Sequence, residues 1–319
     1  MDKLYWIFPC YNEEECLTSS SQAIVVSFDQ LLKEKRISPD SKLVFVDDGS
    51  KDQTWKMIED LAKNNKAVVG LKLSRNKGHQ YAVEAGLQYA YDQKADFSIT
   101  MDVDLQDDIN VVSQMIDKYL EGNDIVYGVR NNRKSDSFFK RQTAKSYYRL
   151  MKKMGVELVE NAADFRLMSS RAMGALLSYQ ESNLFLRGLV PQIGYPTACV
   201  EYERLKRKEG KTHYPLSKML LLAMDGMTSF SSKPLSFIGK CGGLIIILSL
   251  VVALTFMVLN LTKVLGFSIY YYLFPFISLN TGLILVALGI IGLYLSKVNI
   301  EVKKRPHYFI EKTTEKNKD

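Results

Sequence analysis

Five short apolar runs recur through the first 130 residues, each separated from the next by a segment long enough for a helix. They are Leu4-Tyr5-Trp6-Ile7-Phe8, Lys42-Leu43-Val44-Phe45-Val46, Val68 to Leu73, Phe97-Ser98-Ile99-Thr100-Met101 and Ile125-Val126-Tyr127-Gly128. In the fourth run, apolar residues alternate with Ser98 and Thr100 at the period of a pleated strand. Pro9 stops the first strand, and a helix is expected from Asn12-Glu13-Glu14-Glu15 to about Lys35, with acids in its first turn favouring the helix dipole. Ser50-x-x-Gln53 reads as a capping box for a second helix. Further helices are expected after Gln80 to about Tyr91, and from Asn110 to Leu120, closed by Gly122. Strands alternating with helices predict an α/β fold with a mostly parallel sheet covered on both faces.

Ligands of such sheets lie beyond the carboxyl ends of the strands. Asp47-Asp48-Gly49-Ser50 ends the second strand, and Asp102-Val103-Asp104-Leu105-Gln106-Asp107-Asp108 ends the fourth. Asp102 and Asp104, two apart in extended chain, point the same way and repel unless a cation sits between them. Hard oxygen ligands in a short loop suit Mg²⁺ or Mn²⁺. A solvated acidic loop capping the next helix would use the same residues, although capping alone does not require acids at both strand ends. Neither G-x-G-x-x-G nor G-x-x-x-x-G-K-[ST] occurs, which argues against a dinucleotide enzyme or a P-loop ATPase. The four cysteines show no C-x-x-C spacing and the three histidines are scattered, so neither a zinc site nor a disulfide framework is indicated.

Between Arg130 and Lys153 the chain turns basic. Most of these residues suit the solvated face of a helix, whereas Arg133, Lys140 and Arg141 precede its well-formed part and suit an anion. Asn161-Ala162-Ala163-Asp164-Phe165-Arg166-Leu167 sets an acid beside an arginine, which serves equally as a structural ion pair or as a functional one. Arg204, Lys206, Arg207, Lys208 and Lys211 precede apolar residues at helical spacing from Leu216 to Phe230, a pattern that fits the cytoplasmic face of a membrane. Gly242 to Leu261 has no charge over about twenty residues, enough to span a bilayer, and a second such run extends from about Tyr270 to Leu295. Lys233 and Lys240 before the spans, and Lys297, Lys303, Lys304 and Arg305 after them, place both ends of a helical hairpin in the cytoplasm. Leu4 to Phe8 is too short for a secretory signal, so the catalytic domain is expected to stay there too, giving a multi-pass protein of the cell membrane. The expected division is 1–205 catalytic, 206–235 juxtamembrane, 236–298 two transmembrane helices and 299–319 a polar cytoplasmic tail, disordered from Glu311.

Several stretches carry a resemblance. They are Pro9-Cys10-Tyr11-Asn12-Glu13-Glu14, Asp47-Asp48-Gly49-Ser50-x-Asp52-x-Thr54, Arg75-Asn76-x-Gly78-His79-Gln80, Asp102-x-Asp104-Leu105-Gln106-Asp107, Asn161-x-x-Asp164-Phe165-Arg166-Leu167, Phe185-Leu186-Arg187-Gly188 and Arg204-x-x-Arg207-x-x-Gly210-Lys211-x-x-Tyr214. Over about Leu4 to Leu235 the chain resembles family 2 glycosyltransferases of the glycosyltransferase-A fold, more narrowly the polyprenyl-phosphate type: bactoprenol glucosyltransferases and dolichyl-phosphate mannose synthases. Asp108 stands where these relatives often have proline, and alanine precedes Asp164 where glycine is common.

The resemblance implies roles. Pro9, Tyr11, Glu13 and Asp47 would hold the base and ribose of a nucleotide sugar, with Asp48, Lys77, Asp102 and Val103 completing that site. Asp102, Asp104 and Gln106 would bind Mg²⁺ or Mn²⁺ on its diphosphate. Arg130, Arg141, Arg187, Arg204 and Arg207 would meet the acceptor phosphate, and Asp164, Arg166 and Asp104 would be catalytic. The implied reaction inverts the sugar carbon as glucose passes from UDP-glucose to polyprenyl (undecaprenyl) phosphate, for modification of a cell-envelope glycan. UDP-N-acetylglucosamine, UDP-galactose and GDP-mannose stay open as donors. A lipid phosphate is mostly dianionic at cytoplasmic pH, its second pKa being near 6, so Asp164 is read at least as much as an orienting group as a base. Expected partners are the lipid bilayer, further copies of the chain, a flippase and a downstream glycosyltransferase, with no nucleic acid. A processive polysaccharide synthase would carry Q-x-x-R-W, and Trp6 and Trp55 lie in no such context. Intact Asp102 and Asp104 argue against a non-catalytic lipid-phosphate-binding scaffold.

Overall fold

The computed structural model describes residues 1–131, 158–179, 181, 184–203 and 270–315, with scattered helical positions between 235 and 258. They belong to two compact units. The first comprises Met1–Lys152, Glu157–Leu216 and Arg305–Asp319, the second Lys153–Val156 and Ser217–Lys304.

The first unit is built on strands β1 (Leu4–Cys10), β2 (Lys42–Asp47), β3 (Val68–Leu73), β4 (Phe97–Thr100), β5 (Ile125–Arg130), β6 (Ala162–Ser169), β7 (Thr197–Tyr202) and β8 (Ile310–Thr313). Its helices are α1 (Glu14–Lys33), α2 (Thr54–Asn64), α3 (His79–Asp92), α4 (Val112–Leu120), α5 (Ser170–Leu177) and α6 (Leu186–Gln192). One sheet of eight strands runs β7-β5-β6-β4-β1-β2-β3-β8. Strand β1 pairs in parallel with β2 and β4, β2 with β3, and β5 with β7. The expected α/β sheet is therefore present, with one difference. Strand β6 lies between β4 and β5 and is antiparallel to both. Its direction brings Asp164, near its start, to the edge where β4 ends, because Thr100 pairs with Arg166.

The central strands are apolar on both faces, as a sheet covered on both sides requires. All seven residues of β1 are buried. Trp6, Phe8, Phe28, Phe45, Phe97 and Phe165 are among the largest fully buried side chains, and Phe8 stacks on Phe45 with ring centroids 5.1 Å apart. Helix α3 approaches β1 closely at Gly86, where a Cβ would come within 2.3 Å of Ile7 Cγ2.

Three local expectations are corrected. No capping box forms at Ser50: α2 starts after Gln53, whose side chain makes no cap, and Asp52 accepts the Thr54 N–H instead. The helix expected from Asn110 opens as a 3-10 turn over Ile109–Val111, capped by Asp108, whose carboxylate accepts the Asn110 N–H at 3.0 Å, and becomes α-helical at Val112. Part of the segment expected to be a disordered tail, Glu311 to Thr313, belongs to β8, which lies antiparallel on the outer side of β3. Residues 204–304 are thus inserted in sequence between β7 and β8, the two outermost strands of one sheet.

In the second unit, helix α7 (Tyr270–Val302) has 33 residues. Its stretch Leu279–Val302 has a mean hydropathy of 2.0 and is long and apolar enough to cross a membrane, the one such helix among the described residues. The expected span Gly242 to Leu261 falls partly outside them, and the described positions within it, such as Leu244, Ile247, Val251 and Val258, are helical.

Candidate active site

Strand β1 is flanked by β2 and β4, so the loops that leave their carboxyl ends share one cleft. The loops after β1 and β2 are tied together. Asn12, held at φ +52°, donates its N–H to Ser50 Oγ at 3.0 Å and accepts the Lys51 N–H on Oδ1 at 2.9 Å. Thr54 Oγ1 accepts the Glu13 N–H at 2.9 Å, and a Glu14 carboxylate oxygen accepts the Gln53 N–H at 2.9 Å. Gly49 turns this loop at φ +65°, and a Cβ there would lie 2.5 Å from the carbonyl carbon of Arg75. Asp48 ties in the third loop: its two oxygens accept the N–H groups of Lys77 at 2.7 Å and Gly78 at 2.8 Å.

Asp47 is fully buried at the foot of this cradle. One oxygen accepts the Ser50 N–H at 3.2 Å, and the other, also buried, has no hydrogen-bond partner among the described residues. Burial pushes its pKa up, opposed by Ser50. An orphaned acceptor in a dry site is costly unless a ligand donor reaches it. Tyr11 is 41% exposed at the rim, while Pro9 is buried. The side chain of Val103 belongs to the hydrophobic core, so only its backbone is available to a ligand.

Asp102 and Asp104 follow β4. Burial pushes Asp102 up to about 6, with Asp164, Asp107 and Asp104 adding to the rise and His79 opposing it. Asp104 accepts the Gln106 N–H at 3.2 Å, and Gln106 is buried. No group of three or more histidine, cysteine or acidic side chains among the described residues is arranged to hold a metal by itself. The donor set of Asp102, Asp104 and the Gln106 amide oxygen nevertheless fits Mg²⁺ or Mn²⁺. Such ions bind through one or two carboxylates and take the rest of their oxygens from water and substrate phosphates, and crowded carboxylates are relieved by a cation.

Across β4 the site changes character. Asp164 Oδ1 accepts from Arg166 Nη2 at 2.9 Å and from Arg187 Nε at 3.2 Å, and Oδ2 accepts from Arg187 Nη2 at 3.0 Å. His79 Nε2 lies 3.5 Å from Asp164 Oδ2 and 3.8 Å from Asp102 Oδ1, between the two acids. Burial alone would raise Asp164, but Arg187, His79 and Arg166 hold its carboxyl well below the usual range. Arg166 is 3% exposed and Arg187 46%. Arg187 sits in the first turn of α6, whose Leu186 N–H is accepted by Gln80 Oε1 at 3.1 Å.

The structure therefore ties together the loops that carry Pro9, Tyr11, Glu13, Asp47, Asp48 and Lys77, joins Asp164 to Arg166 and Arg187, and sets His79 between Asp164 and Asp102, which precedes Asp104 by two residues. Arg130 is already engaged: Nη2 donates to Asp107 at 3.0 Å, and Tyr202 Oη donates to the same oxygen at 2.5 Å. Arg141, Arg204 and Arg207 lie outside the described residues. His79 and Gln80 belong to a stretch quoted from the sequence but were given no role there. Their signal was their place directly after Arg75-Asn76-x-Gly78, at the start of a helix entering the acidic edge.

The profile of glycosyl transferase family 2 matches residues 5–177. An uncharacterized glycosyltransferase of Bacillus subtilis, YkoT, is 47% identical over 307 residues, 96% of this chain and 90% of that protein. The SfII prophage-derived bactoprenol glucosyl transferase of Shigella flexneri is 35% identical over 98% of both chains. A prophage bactoprenol glucosyl transferase homolog of Escherichia coli is 36% identical over 97% of this chain and 99% of that one. The chain therefore belongs to glycosyl transferase family 2 and is a glycosyltransferase.

Proposed function

We propose that this chain is a membrane-bound, inverting enzyme that moves glucose from UDP-glucose to a polyprenyl phosphate such as undecaprenyl phosphate. The observation that carries the reading is the division of the cleft. A cradle with acids at its rim suits a nucleotide diphosphate and its cation, and an arginine pair across β4 suits a second phosphate. Likeness over nearly the full chain to proteins named bactoprenol glucosyl transferases supports both the acceptor and the sugar.

In this reading Tyr11, Glu13 and the orphaned oxygen of Asp47 hold the nucleoside. Asp102, Asp104 and Gln106 would hold Mg²⁺ or Mn²⁺, which when bound neutralises the charge of a departing diphosphate. Arg187 receives the acceptor phosphate, as planar guanidinium groups do through paired hydrogen bonds. Asp164 keeps Arg166 and Arg187 in place and is a poor proton acceptor, because the arginines and His79 hold its pKa well below the usual carboxylate range. No base is needed, since the lipid phosphate is already mostly dianionic. A single in-line attack inverts the sugar carbon.

The membrane reading gains support from connectivity. The chain leaves the sheet after β7 and rejoins it at β8, so both ends of the inserted segment lie on one side of any bilayer it crosses, and the crossings are even in number. Helix α7 supplies one, and Gly242 to Leu261 is the apolar run placed to supply the other. Lysines and Arg305 flanking the pair favour a cytoplasmic catalytic unit. The test is to incubate the full-length protein, reconstituted in vesicles, with undecaprenyl phosphate and each labelled nucleotide sugar in turn. Labelled lipid from UDP-glucose, lost in EDTA and restored by Mg²⁺ or Mn²⁺, is the expected result. Label from another sugar alone corrects the donor, and no labelled lipid from any sugar overturns the reading.

A further inference from the structure

Residues beyond α7 reach the catalytic cleft indirectly, through α3. His307 Nδ1 meets both carboxylate oxygens of Glu84 at 2.9 Å, in a contact where the two side chains are 17% and 13% exposed. The His307 ring packs at a tilt on Tyr81, centroids 5.4 Å apart. Farther along, Tyr89 Oη donates to Glu315 at 2.5 Å. Tyr81, Glu84 and Tyr89 lie on α3, and the strand that joins these contacts is fastened to β3: Ser74 N–H donates to Phe309 O at 2.9 Å and Thr314 N–H to Gly70 O at 3.0 Å. The other side of α3 is packed on β1 through Gly86. The helix is therefore gripped between the sheet and a C-terminal strap. Its first residue is His79, which lies between Asp102 and Asp164, and its second is Gln80, which holds the start of the helix bearing Arg187.

We infer that residues 305–315 support the acceptor side of the cleft, and that His307 and Glu84 are positioning residues for it, acting through α3 on His79, Gln80 and thence Arg187. The kinetic part of this inference rests on the acceptor proposed above, while the mechanical part does not. The cradle loops after β1 and β2 are tied to one another by their own hydrogen bonds, and Asp48 independently holds the loop that leads into α3. Loosening the His307–Glu84 pair should disturb acceptor use and spare the nucleotide sugar.

The experiment uses full-length His307→Ala, Glu84→Ala, Glu84→Gln and Tyr89→Phe. In His307→Ala and Glu84→Ala, amide hydrogen exchange should quicken at residues 79–86 and 186–192, a local opening short of global unfolding. The KM for polyprenyl phosphate should rise at least about fivefold, the scale of one hydrogen bond, while the KM for the nucleotide sugar stays within about twofold. Glu84→Gln keeps an oxygen that can accept from His307 and should restore most of the loss. Tyr89→Phe, which removes only a hydroxyl, should act in the same direction more weakly and carries the test if the alanine variants do not fold. A strap that merely stabilises would lower the melting temperature and leave both KM values and the exchange of 186–192 unchanged, and that result would overturn the inference. If the wild type makes no lipid product, the proposed acceptor fails, and the exchange pattern alone still decides whether the strap governs α3 and α6.

Discussion

The proposed donor and acceptor sides of the cleft are built from different interactions. On the donor side, loops after β1, β2 and β3 are tied by backbone N–H groups that donate to short side chains: Ser50, Asn12, Thr54 and Asp48. On the acceptor side one carboxylate, Asp164, gathers two arginines and approaches a histidine. Short-range bonds to the backbone fix loop shape and tolerate the loss of any one member. A buried charge cluster concentrates its stability in a single group, because removing that group leaves the others unpaired. The shape of the first site suits a neutral base and sugar, whereas the charge of the second suits a phosphate.

Asp164→Ala should break the acceptor side most severely. Arg166 would be left buried without its carboxylate, at a cost of about 3–5 kcal/mol, read by denaturant unfolding of the full-length protein. The pH dependence has a definite sign. A carboxyl whose folded pKa lies below its unfolded value near 3.9 contributes stability that is fully present above that value and lost as pH falls through the folded one. The gap between wild type and variant should therefore not shrink from neutral pH down to about pH 5, widening if anything as His79 and Asp102, whose pKa values Asp164 raises, take up protons, and should close only well below 4. A gap that closed between pH 7 and 5 would mean that Asp164 is not held ionised.

Asp104→Asn tests the boundary between the two sides. It should slow transfer by at least about a hundredfold, the usual cost of removing a group that stabilises developing charge, with acceptor KM unchanged. EDTA should have a similar effect on the wild type. Gly49→Ala attacks the donor side at its tightest turn. A positive φ and a Cβ driven into the Arg75 backbone should cost about 1–3 kcal/mol and weaken nucleotide binding, measured by calorimetry. Ser50→Ala should do least, about 0.5–1.5 kcal/mol for one hydrogen bond, with a small rise in donor KM. If Ser50→Ala rivalled Asp164→Ala, the contrast between a distributed and a concentrated site would fail.

Strands β1 to β5 were legible because each is an apolar run whose period and flanking breakers are local properties. So were the acids, since a parallel sheet sends every strand end to one edge. What escaped depends on partners distant in sequence. Ser50 and Gln53 look like a capping box, but the Ser50 hydroxyl is taken by Asn12, 38 residues earlier. Arg130 looks like a free phosphate ligand, but Asp107 and Tyr202 hold it. Asp164 and Arg166 were singled out from sequence, but not the strand β6 that carries them, whose neighbours β4 and β5 lie far from it along the chain. Strand β8 is Ile310-Glu311-Lys312-Thr313, fully exposed and half charged, and nothing within it marks it as sheet. Its stability comes from β3 and from side chains such as Lys72, which pairs with Glu311 at 3.1 Å.

That last strand also sets a timetable. Gly70 donates its N–H to Thr314 Oγ1 across 244 residues. At a synthesis rate of about 5–20 residues per second, the ribosome needs roughly ten to fifty seconds after making β3 before β8 can emerge. Throughout that interval the nascent domain carries an open, apolar sheet edge, the kind of surface that recruits other chains. Lys72, between Leu71 and Leu73, is the one charged residue of that waiting strand, and a charge in an apolar strand disfavours pairing with other chains. Strand β8 can pair only after every apolar residue of α7 has been translated. That pairing thus reports that the long apolar helix has already been made, and a protein cut short within it leaves the apolar β3, rather than the short charged β8, as the edge of its sheet.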